Sequence, residues 1–278
     1  MGIAWSIMFW PLVACLTLPA LLVYFGLHIV RRGVIFVDLA LAQVATLGTC
    51  VCIMLGHDPH DIHGFYYSVG FTLLGALIFA FTRTEHEHRI PQEAIIGVVY
   101  VVAAAAAILL LSRTPEGNEE LKRTLVGDVL TVTPSQVGWT AALFVVIAVA
   151  HWVFRKPFMA ITFHPQTVDS KRWATRGWDF LFYALFGAVV TSFVQIGGVL
   201  LVFTYLIVPA LCANLLTRSF SAMLLIGCLT SMVGSGGGLW ASYQFDLPAG
   251  GAIVCSLGVL LLVVGVLRPR RRQVASST

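Results

Sequence analysis

Asp38 and Gln43 are the groups in this sequence best placed to handle a cation, because both sit inside a long apolar run. An ionisable side chain there is costly and marks a functional position by default. Residues five apart on an ideal helix diverge by about 140°, so Asp38 and Gln43 cannot clamp one ion from a single face. Ligands from other helices would have to complete any site. Asp38 also follows Arg31 and Arg32 closely, and an interfacial carboxylate beside those arginines is the alternative reading.

A second cluster lies in a polar interruption. His57-Asp58-Pro59-His60-Asp61-Ile62-His63 places three imidazoles and two carboxylates within seven residues, donor types that suit divalent first-row metals. His57, Asp58, His60, Asp61 and His63 therefore form either a metal-capture loop or a polar turn. Glu85-His86-Glu87-His88-Arg89 could supply an exit-side ligand, and reads more readily as a solvated loop.

Other chemistry is missing. The sequence contains no G-x-x-x-x-G-K-[ST] phosphate cradle, no H-E-x-x-H zinc helix and no G-x-G-x-x-G turn, so ATP hydrolysis would need another chain. A membrane serine protease requires a base beside its nucleophile, and no His follows His164. Gly234 and Gly238 read as a G-x-x-x-G surface for close helix packing. Cys15, Cys50, Cys52, Cys212, Cys228 and Cys255 fall in apolar runs without C-x-x-C spacing and read as small buried hydrophobes.

The elements that must position these groups follow from composition. The chain is 58% hydrophobic and 11% charged, with a mean hydropathy of +0.89, and its apolar runs repeatedly reach the roughly 20 residues needed to cross a hydrocarbon core. The expected fold class is an all-α polytopic membrane protein forming one permease-like domain over residues 1–278. The runs are continuous rather than alternating, which excludes an outer-membrane barrel.

Spans are expected at about 7–30, 34–55, 65–82, 93–112, 137–154, 178–194, 197–216, 220–242 and 249–267. Nine crossings place Arg31, Arg32, the basic stretch 155–176, Arg218 and the tail Arg268–Arg272 on the cytoplasmic side, with the N-terminus outside. Reading 178–204 as one tilted helix would reduce the count to eight and scatter the basic loops over both sides. No cleavable signal peptide is expected, since a basic n-region is missing. Within 179–218 the apolar run is interrupted by Gln195-Ile196-Gly197-Gly198 and then by Pro209, a pattern that can set half-helix ends and free carbonyls inside a bundle.

Four stretches together resemble a known family: RRGVIFVDLALAQVATLG, IPQEAIIGVVYV, FHPQTVDSKRWATRGWDFLFYALFGAVVTSFVQIGGVLLVFTYLIVPALCANLLT, and SYQFDLPAGGAIV. In this order and spacing the chain is similar to the ABC-3 permease subunits of ATP-binding-cassette importers for zinc, manganese or iron. The resemblance implies a non-catalytic permease of the bacterial plasma membrane with a type II importer-like fold. Its implied partners are a second copy of the chain, a cytoplasmic ATPase, an extracytoplasmic metal-binding protein and membrane lipid, with no nucleic acid. A divalent metal would be the transported substrate, with no covalently bound cofactor. Pro209, Asn214, Leu216, Thr217 and Arg218 would lie in or beside the element that contacts the ATPase.

One departure stands out. Many members of that family carry an Asp and a His four residues apart in the second span, in a pattern like S-D-A-L-S-H-A. Aligned on Gly48, this sequence has Leu39 and Gln43 at those positions, with Asp38 displaced by one. Either the ion is passed more loosely, using Asp38, Gln43 or Gln195, or the substrate differs. An amide oxygen is a weaker transition-metal ligand than imidazole. The competing class is a stand-alone secondary transporter or channel, which commonly shows inverted halves; no internal repeat is evident.

Overall fold

A computed structural model of the chain describes residues 2–59, 61–82, 91–112, 124–163 and 172–267. In lipid every backbone donor and acceptor must be satisfied within the segment, so apolar runs of this length become helices. They are α1 (Gly2–Thr17), α2 (Pro19–Arg32), α3 (Val37–Met54), α4 (Ile62–Phe81) and α5 (Gln92–Leu111). After a 3-10 turn at Val129–Thr131 come α6 (Pro134–Val153), α7 (Arg155–Phe163), α8 (Arg172–Leu216), α9 (Phe220–Phe245) and α10 (Ala249–Leu267). No strand occurs among the described residues.

Local sequence sets several of these boundaries. Gly33 ends α2 in the left-handed conformation, at φ 70°. There the Val34 amide donates to the Ile29 carbonyl and the Gly33 amide to the Val30 carbonyl, the double bond that closes a Schellman end. Arg31 and Arg32 complement the negative end of the helix dipole. At the start of α6, Thr133 and Gln136 form a capping box with Pro134 in the first turn.

Among the described residues eight stretches are long and apolar enough to cross a membrane, α1 and α2 together supplying the first from Met8 to Arg32. Seven of them span 18 to 26 residues, but the stretch in α8 runs for 42. At 1.5 Å per residue that is about 63 Å, roughly twice the hydrocarbon thickness. The length is accommodated by a reversal at Gly198, whose φ of 71° and ψ of 168° lie outside the helical region. The Phe25 ring lies 5.6 Å from Phe182 and 5.1 Å from Phe186, while the adjacent Gly26 abuts the Leu206 backbone. On a straight helix Phe186 and Leu206 would be about 30 Å apart. Residues 172–197 and 199–216 are thus two antiparallel arms, and counting them separately gives nine crossings among the described residues, with the break at Gly198.

The reversal is locked by backbone contact. Gly127, itself at φ 69°, sits so close to Gly197 and Gly198 that a methyl group on Gly127 or Gly198 would overlap the facing backbone.

The core consists of α2, α3 and α8, with α4, α5, α6, α9 and α10 arranged around them and exposing leucine and valine outward. The G-x-x-x-G stripe behaves as expected, since Gly234 meets Leu257 and Gly238 meets Ile253 across the α9–α10 contact. The cysteine reading holds for Cys15, Cys50, Cys52 and Cys212, which are buried, but Cys228 is partly exposed and Cys255 exposed. These two sit on the outer layer, where an apolar sequence environment means lipid-facing surface rather than core.

Candidate functional site

Helix α3 is buried on several sides, and the polar groups it carries face neighbours in the bundle rather than lipid. Asp38, Gln43 and Thr46 are 1%, 6% and 6% exposed. Threonine hydroxyls are supported by their own helix, as where Thr46 Oγ1 donates to the Ala42 carbonyl at 2.9 Å. Hydroxyl pairs tie α3, α4 and the first arm of α8 together: Thr49 with Ser68 at 2.7 Å, and Thr72 with Thr191 at 3.0 Å.

Above these pairs lies a cavity of about 490 Å³ between α3, α4, α6 and α8. Its polar lining includes Thr46, Thr49, Ser68, Thr191, Gln136 and Gln195, and Asp61 stands at its rim. The structure therefore brings Gln195 and Asp61, taken from separate sequence clusters, into one space. Gln43 lies one turn below Thr46 on α3, and Asp38 a further turn and a half toward the opposite end.

Two rings of the histidine loop lie against each other. The His57 and His63 rings stack at 4.8 Å and 9°, with Tyr67 continuing the stack at 6.3 Å. Asp58 precedes the turn and Asp61 opens toward the cavity. His60 and the cluster 85–89 lie outside the described residues. Among the described residues no three His, Cys, Asp or Glu side chains converge as a metal-binding group.

At the other end, α3 begins beside Glu93, the second residue of α5. Glu93 Oε1 accepts from the Phe36 amide at 3.1 Å, satisfying a donor that the first turn of α3 leaves open. Asp38, two residues on, lies within electrostatic reach of Glu93 and next to its own and the Leu39 amides. Neither carboxylate oxygen of Asp38 makes a hydrogen bond of good geometry, and Glu93 Oε2 is likewise buried without a partner. Sequence reasoning passed over Glu93. The available signal was a carboxylate in the first turn of an apolar span, the same signal that singled out Asp38.

The end of α8 separates the remaining predicted residues. Pro209 is buried about two turns inside the helix and packs beside Gly227 of α9. Asn214, Leu216 and Arg218 are exposed, and Thr217 is half-buried. Asn214 Nδ2 donates to the Ala210 carbonyl at 2.9 Å, and the Ser219 amide donates to Thr217 Oγ1 at 3.4 Å across the short turn into α9.

Beside that turn a buried network joins three elements. Arg32 Nη1 pairs with Asp179 at 3.0 Å, and Arg32 Nε donates to Thr162 Oγ1 at 3.0 Å. His28 Nδ1 is 2.9 Å from the same hydroxyl, and the guanidinium lies 3.8 Å over the Phe182 ring.

The manganese transport system membrane protein MntC of Listeria innocua is 26% identical over 246 residues, covering 88% of this chain and 85% of that protein. The manganese import system permease protein ScaB of Streptococcus gordonii is 24% identical over 250 residues, covering 89% and 86%. The fold matches a chain of PsaBC from Streptococcus pneumoniae in complex with Fab at a TM-score of 0.77 and 22% identity, covering 96% of this chain and 94% of that one. Residues 4–268 match the ABC 3 transport family across nearly the whole sequence. This multi-pass protein of the bacterial plasma membrane belongs to the ABC 3 transport family.

Proposed function

We propose that the chain is the membrane permease of an ATP-driven importer for a divalent metal, with manganese the first substrate to test. The observation that carries this reading is the set of buried polar groups on α3: Thr49 and Thr46 line the outer cavity, and Gln43 and Asp38 lie farther along the helix on faces about 140° apart. Buried polar groups in lipid are expensive and mark ion pathways. The donors are oxygens throughout, which suits manganese better than softer metals. The manganese-related names of MntC and ScaB support the same choice.

On this reading the permease is itself non-catalytic and works as a homodimer. An extracytoplasmic binding protein delivers the ion to the outer cavity, where the His57–His63 loop is the first surface it meets. A cytoplasmic ATPase subunit engages Leu216, Thr217 and Arg218, and Pro209 stiffens the arm behind them. ATP-driven closure of the ATPase then displaces the second arm of α8 and switches the access of the path.

Gentle purification of the tagged chain from its native membrane, followed by identification of stoichiometric partners, tests this directly. An ATPase subunit and ATP-dependent manganese uptake by the reconstituted complex are expected. A folded dimer without an ATPase would support the stand-alone transporter instead.

A further inference from the structure

We infer that His28 is a proton sensor at the cytoplasmic end of the bundle, whose neutral ring seats α7 and the turn after α8 and whose protonation releases them. The inference goes beyond the importer reading and rests on it only for the uptake measurement below.

Hydrogen-bond directions fix the state of the ring. His28 is fully buried, one turn before Arg32 on α2. Arg32 Nε donates to Thr162 Oγ1 at 3.0 Å, and a guanidinium offers no acceptor in return. The single proton of that hydroxyl is then available to His28 Nδ1, 2.9 Å away. Donation runs from Arg32 through Thr162 into an unprotonated ring nitrogen. A proton on Nδ1 would turn the last bond round, so that the guanidinium and an imidazolium both donated to one oxygen. Two positive groups would then meet at a buried hydroxyl, where their repulsion is stronger than in water.

The surroundings of the ring come from five helices. On α2 itself, Tyr24 lies 4.8 Å away and Arg32 shares the Thr162 hydroxyl. His151 of α6 is within electrostatic reach, its Nδ1 3.3 Å from the Tyr24 hydroxyl. Asp179 of α8 is engaged by Arg32 at 3.0 Å. Helix α7 contributes Thr162 and Phe163, α8 also Phe182, and α9 Phe220, the three phenylalanine rings standing 5.7, 5.8 and 5.8 Å from the imidazole. Arg31 lies over the Phe163 ring at 5.7 Å. Among these described groups, a protonated His28 would join Arg32 beside one carboxylate that Arg32 already holds.

The same ring touches two elements whose positions matter for coupling. Thr162 ties α7 to α2 through this hydroxyl. Phe220 opens α9 directly after the turn bearing Arg218, and its ring packs against Tyr24 at 6.1 Å and Phe163 at 5.6 Å as well as against His28. Loss of the Thr162 bond therefore unseats α7 and slackens the aromatic contacts that hold Phe220. Imidazole is the side chain whose charge ordinarily changes between about pH 5 and 8, so acid on the cytoplasmic side disengages the turn that the ATPase is proposed to grip.

The test compares the wild type with His28→Asn, which keeps an oxygen acceptor near the place of Nδ1 but cannot titrate; His28→Gln serves if that variant does not fold. Amide hydrogen exchange of the protein in lipid nanodiscs, corrected for the intrinsic pH dependence of exchange, is followed from about pH 7.5 to 5.5. Residues 158–163 of α7 should lose protection several-fold in the wild type and keep it in the variant. ATP-dependent manganese uptake by the permease–ATPase complex, with pH changed on the ATPase side alone, should fall several-fold in the wild type and much less in the variant. Wild-type α7 protection that ignores acid overturns the inference, as does an equal acid response in a folded variant, or uptake that is indifferent to the loss of protection. Uptake with flat protection removes the sensor and leaves the importer reading intact. Acid-dependent protection that the variant abolishes, in a complex that moves no manganese, retains the sensor and removes the importer reading.

Discussion

Arg32 and Asp179 form a buried ion pair at 3.0 Å, their side chains 8% and 1% exposed. They tie α2 to the first arm of α8, and Thr162 brings α7 into the same network. Removing one partner strands a charge in an apolar environment, which costs about 3–5 kcal/mol. Arg32→Ala and Asp179→Ala should therefore each lower the melting temperature in detergent markedly. The double variant should lose less than the sum of the two. Arg32→Lys should fail to rescue, since an ammonium cannot bind Asp179 and Thr162 in the fork geometry while lying flat on Phe182.

The reversal of α8 offers a sharper contrast. Gly198→Ala combines a backbone conformation open chiefly to glycine with overlap against Gly127, and the conformational part alone costs about 1–3 kcal/mol. Gly251→Ala adds a methyl group into open space and should change stability by no more than about 0.5 kcal/mol. Thermal unfolding monitored by tryptophan fluorescence would separate the two variants. Equal melting temperatures would show that the reversal is not tightly specified.

Gln43→His restores an imidazole to the second span at a position that is 6% exposed. A softer donor in the path should raise zinc uptake relative to manganese several-fold. Competition between the two ions in reconstituted vesicles measures that ratio directly. An unchanged ratio would place Gln43 outside the path.

Arg218 and Pro209 should separate in their effects. Arg218 is exposed in the turn after α8, so Arg218→Ala should leave stability within about 0.5 kcal/mol while lowering ATP-dependent uptake. Pro209 packs next to Gly227 and leaves the Tyr205 carbonyl without its helical donor. Pro209→Ala should alter the bend of the arm and shift both melting temperature and uptake. Normal uptake in Arg218→Ala would remove that residue from the coupling surface.

Much of the architecture was legible because lipid reduces the possibilities. Hydropathy located the crossings, and the basic residues favoured nine over eight before the fold-back was visible. The G-x-x-x-G stripe also announced its partner surface, since only small residues permit such an approach. Legibility ended where partners come from distant segments. Asp38 could be recognised as a costly carboxylate, but its neighbour Glu93 lies 55 positions later and enters through a backbone amide at Phe36. Similarly, Gln195 and Asp61 share a cavity only because the α8 hairpin brings its tip to the rim of α4. His57 and His63 are close in sequence, but the stacking of their rings at 4.8 Å was not legible from spacing alone.

The α8 hairpin also constrains how the protein is made. Between its arms there is no charged loop, only Gln195, Ile196, Gly197 and Gly198. The insertion machinery therefore receives neither a hydrophilic segment to translocate nor a positive stop between the two crossings. The arms must enter the bilayer as a preformed pair, before α9 and α10 emerge to cover them. A ribosome stalled far enough beyond residue 216 for both arms to have left its exit tunnel should already hold a protease-resistant hairpin in the membrane. One stalled so that only the first arm has left the tunnel should hold an arm whose outer end is still free to retreat.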